Sequence, residues 1–179
     1  MTGVQTCALP IFNTTAGTVV ERKLLLLYLN TGTSESPVWS VLGKRVEDSS
    51  MEYDWGDETK TDILGDTYST MKPPAITQTF DPCELDSGDT AQVKIWNQAI
   101  RDHDIAAMCN NDLLVVHAYA GSASDGAFAE RYPASMVKPS GLGGSSNVGM
   151  PIDVAFGGKR STGTAKVTGG TLTFTEDAA

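Results

Sequence analysis

Only one stretch of this chain has convincing helical spacing; the rest breaks into short β-forming segments divided by turn residues. That pattern restricts the fold to mainly β, because a run of alternating apolar and polar residues buries one face only as a strand. Val19 to Asn30 reads as a first strand with a continuous apolar run at Leu24–Leu27. Such a run fits a strand covered on both faces or a short helix, and periodicity does not choose between them. Further strands are expected at Val38–Val46, interrupted near Gly43, then at Ser50–Trp55, Ala75–Phe80, Leu113–Ala120, Tyr132–Lys138 and Met150–Phe156. The clearest local signal is Gly169-Gly170 between Thr162–Thr168 and Thr171–Thr175, a two-residue hairpin.

The helix is expected at about 90–104, after several N-cap candidates in Asp86–Thr90. Val93, Trp96, Ile100 and His103 form its apolar stripe, widened by Ile95 and Ala99. Eight or nine strands and one helix imply two packed antiparallel sheets, a β-sandwich or small barrel with a flanking helix.

The 179 residues fit one domain, expected over 12–179. Residues 1–11, which include Cys7, resemble the translation of a sequencing-library adapter and are expected to have no native role. The net charge of −9 argues against wrapping nucleic acid, which needs basic phosphate contacts. No apolar run reaches the ~18 residues of a membrane span. Cys7, Cys83 and Cys109 lack close pairing and read as reduced thiols of a protein made in a cytoplasm.

The sequence holds no catalytic constellation. Asp102-His103-Asp104 reads as a polar helix end, since neighbouring helical residues diverge. His117 in an apolar strand reads as a satisfied core histidine. Cys83 and Cys109 lack zinc-ligand spacing, and Gly141–Ser146 lacks the ending of a phosphate loop. No catalytic residue, cofactor site or metal site is expected, and the chain does not read as an enzyme.

From about Asp54 to Pro73, with its core at 56–73, runs a long acidic loop. A loop of ~20 residues in a compact domain binds something or is disordered. Trp55, Ile63, Leu64, Tyr68 and Met71 are too many large apolar groups for a free linker. Asp54, Asp57, Glu58 and Asp62 leave three readings open: a calcium site, a solvated or channel-facing acidic surface, or a subunit contact.

Several blocks taken in order resemble the major tail tube proteins of long-tailed, non-contractile bacteriophages. They are Val20–Gly32, Trp39–Lys44, Thr59–Gly65, Ala127–Ala134 and Pro151–Thr164, and the likeness runs from about Thr14 to the C-terminus. The resemblance implies two packed sheets with a flanking helix, and six copies per ring with rings stacked into a tube. It implies a channel that conducts DNA into the host without specific binding. Tape-measure, tail-terminator and tip proteins would be its partners, and its place the tail of a virion assembled in bacterial cytoplasm. In that setting Ile63, Leu64, Tyr68 and Met71 are the expected inter-subunit anchors. Asp153, Asp57 and Glu58 are the expected channel-facing groups. The alternative is a carbohydrate- or protein-binding β-sandwich of tail-tip or adhesin type, which needs exposed aromatics grouped on one face.

Overall fold

The computed structural model describes residues 17–122 and 124–178; the adapter-like residues 1–11 lie outside them. The fold is mainly β, with two antiparallel sheets, a flanking helix of 12 residues and, among the described residues, no barrel closure. Eleven strands occur among the described residues, two or three more than the sequence pattern suggests.

The first sheet runs β2 (Trp39–Leu42), β1 (Leu25–Asn30), β7 (Asn111–Ser122), β8 (Gly126–Pro139), β10 (Ser161–Thr168), β11 (Thr171–Glu176). The second runs from β8 through β9 (Ile152–Ala155) and β6 (Ala75–Phe80) to β3 (Met51–Asp54). The long strand β8 belongs to both. Ala127 to Arg131 pair with β10, whereas Met136 to Pro139 pair with β9. The switch falls at Ser135, whose hydroxyl donates to Tyr132 O and accepts from Gly157 N, each at 3.1 Å.

The Leu24–Leu27 run divides: Leu24 ends a 3-10 turn (Arg22–Leu24), and the strand expected from Val19 begins only at Leu25, covered on both faces. Leu27 and Leu29 face a core shared with Leu113, Val115, Phe80, Ile152, Val154 and the helix. Leu26 and Tyr28 face a second, smaller core built on Leu114, Val116, Ala129, Ala165 and Leu172. The first sheet curls enough to bring β11 near β2, and Trp39 of β2 and Phe174 of β11 both pack on that second core. Leu113, Leu114 and Val115 are all fully buried, which explains why β7 alternates poorly.

Helix α1 (Thr90–Trp96) starts at Asp89, whose Oδ1 accepts from Ala91 N and Gln92 N at 3.0 and 3.2 Å. The buried face differs from the expected stripe. Ala91, Gln92 and Ile95 are buried, Val93, Trp96 and Ile100 are half-buried, and His103 is exposed. Gln92 turns inward because its Oε1 accepts from Asp86 N at 2.7 Å, holding the chain that leads into the helix. Apolar periodicity gives no weight to a polar residue that is satisfied in this way. Asn97–Arg101 is π-helical, and its i→i+5 bonds shift the phase of everything after Trp96. A short α2 (Ile105–Cys109) follows, capped by Asp104.

The expected long loop is an antiparallel hairpin, β4 (Glu58–Thr61) and β5 (Thr67–Thr70), paired with neither sheet.

Candidate functional site

The β4–β5 hairpin leaves the second sheet at the end of β3, and every residue from 52 to 73 is exposed. Its tip is tightly built. Asp62 Oδ1 accepts from Leu64 N and Asp66 N at 2.8 and 2.9 Å, and Asp62 N donates to Asp66 O at 2.9 Å. The three residues between carry Gly65 at φ 89°, the left-handed position of a three-residue hairpin loop. Its base is held by two bonds, Gly56 N to Asp54 Oδ1 and Lys72 N to Trp55 O, both 2.9 Å.

The four expected anchors therefore fall in three places. Ile63 and Leu64 are thrust outward at the tip, 101% and 83% exposed. Tyr68 lies on a strand opposite Lys60, and Met71 lies at the base beyond β5. The middle of the hairpin is polar, with Thr59, Thr61, Thr67 and Ser69 on one face. At the base, Tyr53 and Trp55 stack with ring centroids 6.1 Å apart.

The second sheet turns its core side inward and leaves its other side polar. Ladder register aligns Thr79, Asp153 and Lys138 in one row and Glu52, Thr77, Ala155 and Met136 in the next. Asp153 thus lies on the outward face, opposite the buried Ile152 and Val154. Lys138 Nζ is 3.2 Å from its Oδ2, so its charge is partly countered. The β8–β9 register that makes this pair leaves no local trace in sequence. Asp57 and Glu58 sit at the hairpin's base, away from Asp153 along the chain, and Glu58 pairs with Lys60 at 2.8 Å. Asp54 and Asp62 spend carboxylate oxygens on backbone N–H groups. No group of three or more His, Cys, Asp or Glu able to hold a metal ion occurs among the described residues.

Sequence reasoning missed a buried polar cluster. Glu130 Oε2 lies 2.8 Å from His117 Nε2, while its Oε1 accepts from Arg160 Nε at 2.6 Å and Tyr132 OH at 3.3 Å. His117 Nδ1 lies 2.7 Å from Tyr119 OH, so both ring nitrogens are engaged. Burial opposes ionisation of Glu130, but the hydrogen bonds and charges of His117 and Arg160 outweigh it and hold the carboxyl below its usual range. Burial and the charge of Glu130 push the Tyr132 phenol up to about 12. The cluster is a clamp between β7, β8 and the start of β10, with every carboxylate oxygen occupied. A second, half-buried clamp pairs Arg131 with Asp112 through two bonds of 3.0 and 2.7 Å.

The other sequence candidates separate. His103 is exposed at φ 49°, Asp102 pairs with Arg101 at 2.6 Å, and Asp104 caps α2. Cys83 is buried, and burial, with Asp89 and Asp81 nearby, raises its thiol to about 11. Cys109 is exposed and far along the chain from it.

No protein-family model matches this chain, and no curated protein does. Several solved structures resemble it. One is the anti-feeding prophage cap (AFP tube terminating cap), at 12% identity and TM-score 0.48, covering 86% of this chain and 96% of that one. Another is the PVC sheath-tube complex of an extracellular contractile injection system in the extended state, at 9% identity and TM-score 0.47, covering 83% and 94%. A third is the PVC sheath/tube terminator, at 8% and 0.48, covering 83% and 99%. Likeness at that level does not assign a function.

Proposed function

We propose that this chain is a self-assembling structural subunit of a phage-type tail tube, in which copies ring a channel and rings stack. The observation that carries the reading is the β4–β5 hairpin, an ordered turn that holds Ile63 and Leu64 wholly in solvent. An isolated two-stranded hairpin is marginal in water, and burying one such side chain stabilises by about 1.5–3 kcal/mol. A surface of that kind gains its stability on docking.

Two further features support the reading. The outer margins of β2, β3 and β11 have no ladder partner among the described residues. Open margins invite strand addition, and closure through identical copies removes them. The outward face of the second sheet is polar and bears Glu52 and Asp153, and the chain is acidic overall. Negative walls repel phosphates, so DNA passes without being retained. Six copies per ring, tape-measure and terminator partners, and a virion tail built in a bacterial host follow from the sequence resemblance and are part of the proposal. Catalysis is not.

The stacked, exposed Tyr53 and Trp55 favour a second reading, a β-sandwich module that binds a sugar or protein. Electron microscopy of the purified protein over a concentration series separates the two. Rings or tubes support the first; monomers that bind glycans and lose binding on Trp55→Ala support the second. Asp153→Lys tests the channel face: unchanged DNA passage through tubes carrying it removes Asp153 from the lumen.

A further inference from the structure

The exposed tip needs a receptor, and the surface of this same chain offers one. A half-open cavity of about 380 Å³ lies where β1 and β2 meet the 43–49 segment. Its floor is apolar, formed by Leu25, Leu42, Val46 and Phe80, and Arg22 and Lys44 stand exposed at its rim. Arg22 bonds the carbonyls of Ser49 and Leu25, which orients the guanidinium and leaves its charge without a carboxylate partner among the described residues.

The tip is its complement. Ile63 and Leu64 project between two carboxylates, Asp62 and Asp66. We propose that the hairpin tip of one copy inserts Ile63 and Leu64 into the β1–β2 cavity of a neighbouring copy, with its carboxylates beside Arg22 and Lys44. The inference rests on the self-assembly reading above and names the surface that receives the hairpin.

Topology makes the contact intermolecular. The chain enters β3 from the cavity rim at Glu47–Ser49 and leaves it at Asp54 into the hairpin. β3 thus carries the chain from the cavity rim to the hairpin, and the exposure of Ile63 shows that it does not fill the cavity of its own copy. A tip at one end and a receptor at the other make a head-to-tail contact, which closes into a ring or continues as a filament. Glu47 and Asp48 share the rim. They exclude approaches that bring the tip carboxylates to their side and so fix the orientation of docking.

The test uses the full chain with Cys7→Ser and Cys109→Ser as background. One population carries Leu64→Cys and a second Leu25→Cys, a residue of the cavity floor. Mixed and oxidised, they are expected to form a disulfide between the two populations and none within either alone. Lys44→Glu is expected to raise the concentration needed for assembly about tenfold, and Asp66→Lys in the same chain to recover most of it. Circular dichroism and the unfolding midpoint confirm that each variant is folded. Assembly without the mixed disulfide, and indifferent to Lys44→Glu, overturns this inference and leaves self-assembly standing. Persistent monomers at every concentration overturn both.

Discussion

Two antiparallel hairpins leave the body of this protein, and only one of them returns to it. The β10–β11 hairpin turns at Gly169-Gly170 and then folds back, burying Ala165 and Leu172 against Leu114, Val116 and Ala129 of the first sheet. The β4–β5 hairpin turns at Ile63–Gly65 and buries nothing. Their bases differ in the same sense. Arg160, at the foot of β10, is fastened to the buried Glu130, whereas the foot of β4 rests on two exposed hydrogen bonds, one to a carboxylate and one to a carbonyl. One hairpin is part of the fold's stability; the other is an ordered projection whose apolar groups have no use inside a single copy. Burial, more than hairpin geometry, separates a structural element from a docking element.

Excision breaks the comparison most severely. Removing 57–72 and joining the ends is expected to leave a folded protein, with its thermal midpoint moved by no more than about 2–4 °C, a ~1 kcal/mol change at this chain length. The same protein is expected to lose all self-association in sedimentation. Removing 161–176 is expected to give no soluble folded protein at all, because it strips the cover from the second core. Normal tubes from the first deletion would refute the docking role.

Single leucines repeat the contrast at smaller scale. Leu172→Ala empties part of the second core and is expected to cost about 2–3 kcal/mol in urea unfolding. Leu64→Ala, at a fully solvated tip, is expected within about 0.5 kcal/mol of the parent. A large loss at Leu64 would mean that the tip packs on its own copy.

Much of this was legible in the sequence. Ala75–Phe80 emerged with the expected bounds because Ile76, Gln78 and Phe80 alternate inward. The β10–β11 turn was legible because two glycines with positive φ, 57° and 81°, are what a tight hairpin demands. The β4–β5 hairpin carried a comparable cue in Asp62-Ile63-Leu64-Gly65-Asp66, with glycine at the left-handed position. It escaped because Glu58–Thr61 and Thr67–Thr70 have no apolar alternation, and with no face to bury there is none to read. The four anchor candidates were named on composition alone, but their division among tip, strand and base depends on cross-strand register. The Glu130 clamp was illegible for the same reason: His117, Glu130 and Arg160 meet only through the β7–β8 ladder and the approach to β10.

That clamp gives the next prediction. Glu130 has a depressed carboxyl pKa in the folded state, so it binds its proton less readily than the unfolded chain does. Its contribution is therefore fully present above the ordinary glutamate value near 4.5 and is lost as pH falls through the lower folded value. Glu130→Gln is expected to cost about 1–3 kcal/mol at neutral pH and to flatten the acid limb of stability below about pH 4.5. Hydrogen exchange is expected to rise first along β10, whose foot the clamp holds. An unchanged acid limb would remove Glu130 as its source.

The smallest effect discriminates most finely. Gly65 and Gly170 both hold positive φ, 89° and 81°, with open space where a side chain would go. Alanine at either position meets only backbone strain, on the order of 1 kcal/mol. If the C-terminal hairpin unfolds with the body, Gly170→Ala lowers global stability by that amount. If the projecting hairpin opens independently of the body, Gly65→Ala leaves the global midpoint in place and accelerates amide exchange only within 58–70. Equal shifts of the global midpoint by both substitutions would show that the two hairpins are one cooperative unit, and the distinction between them would fall.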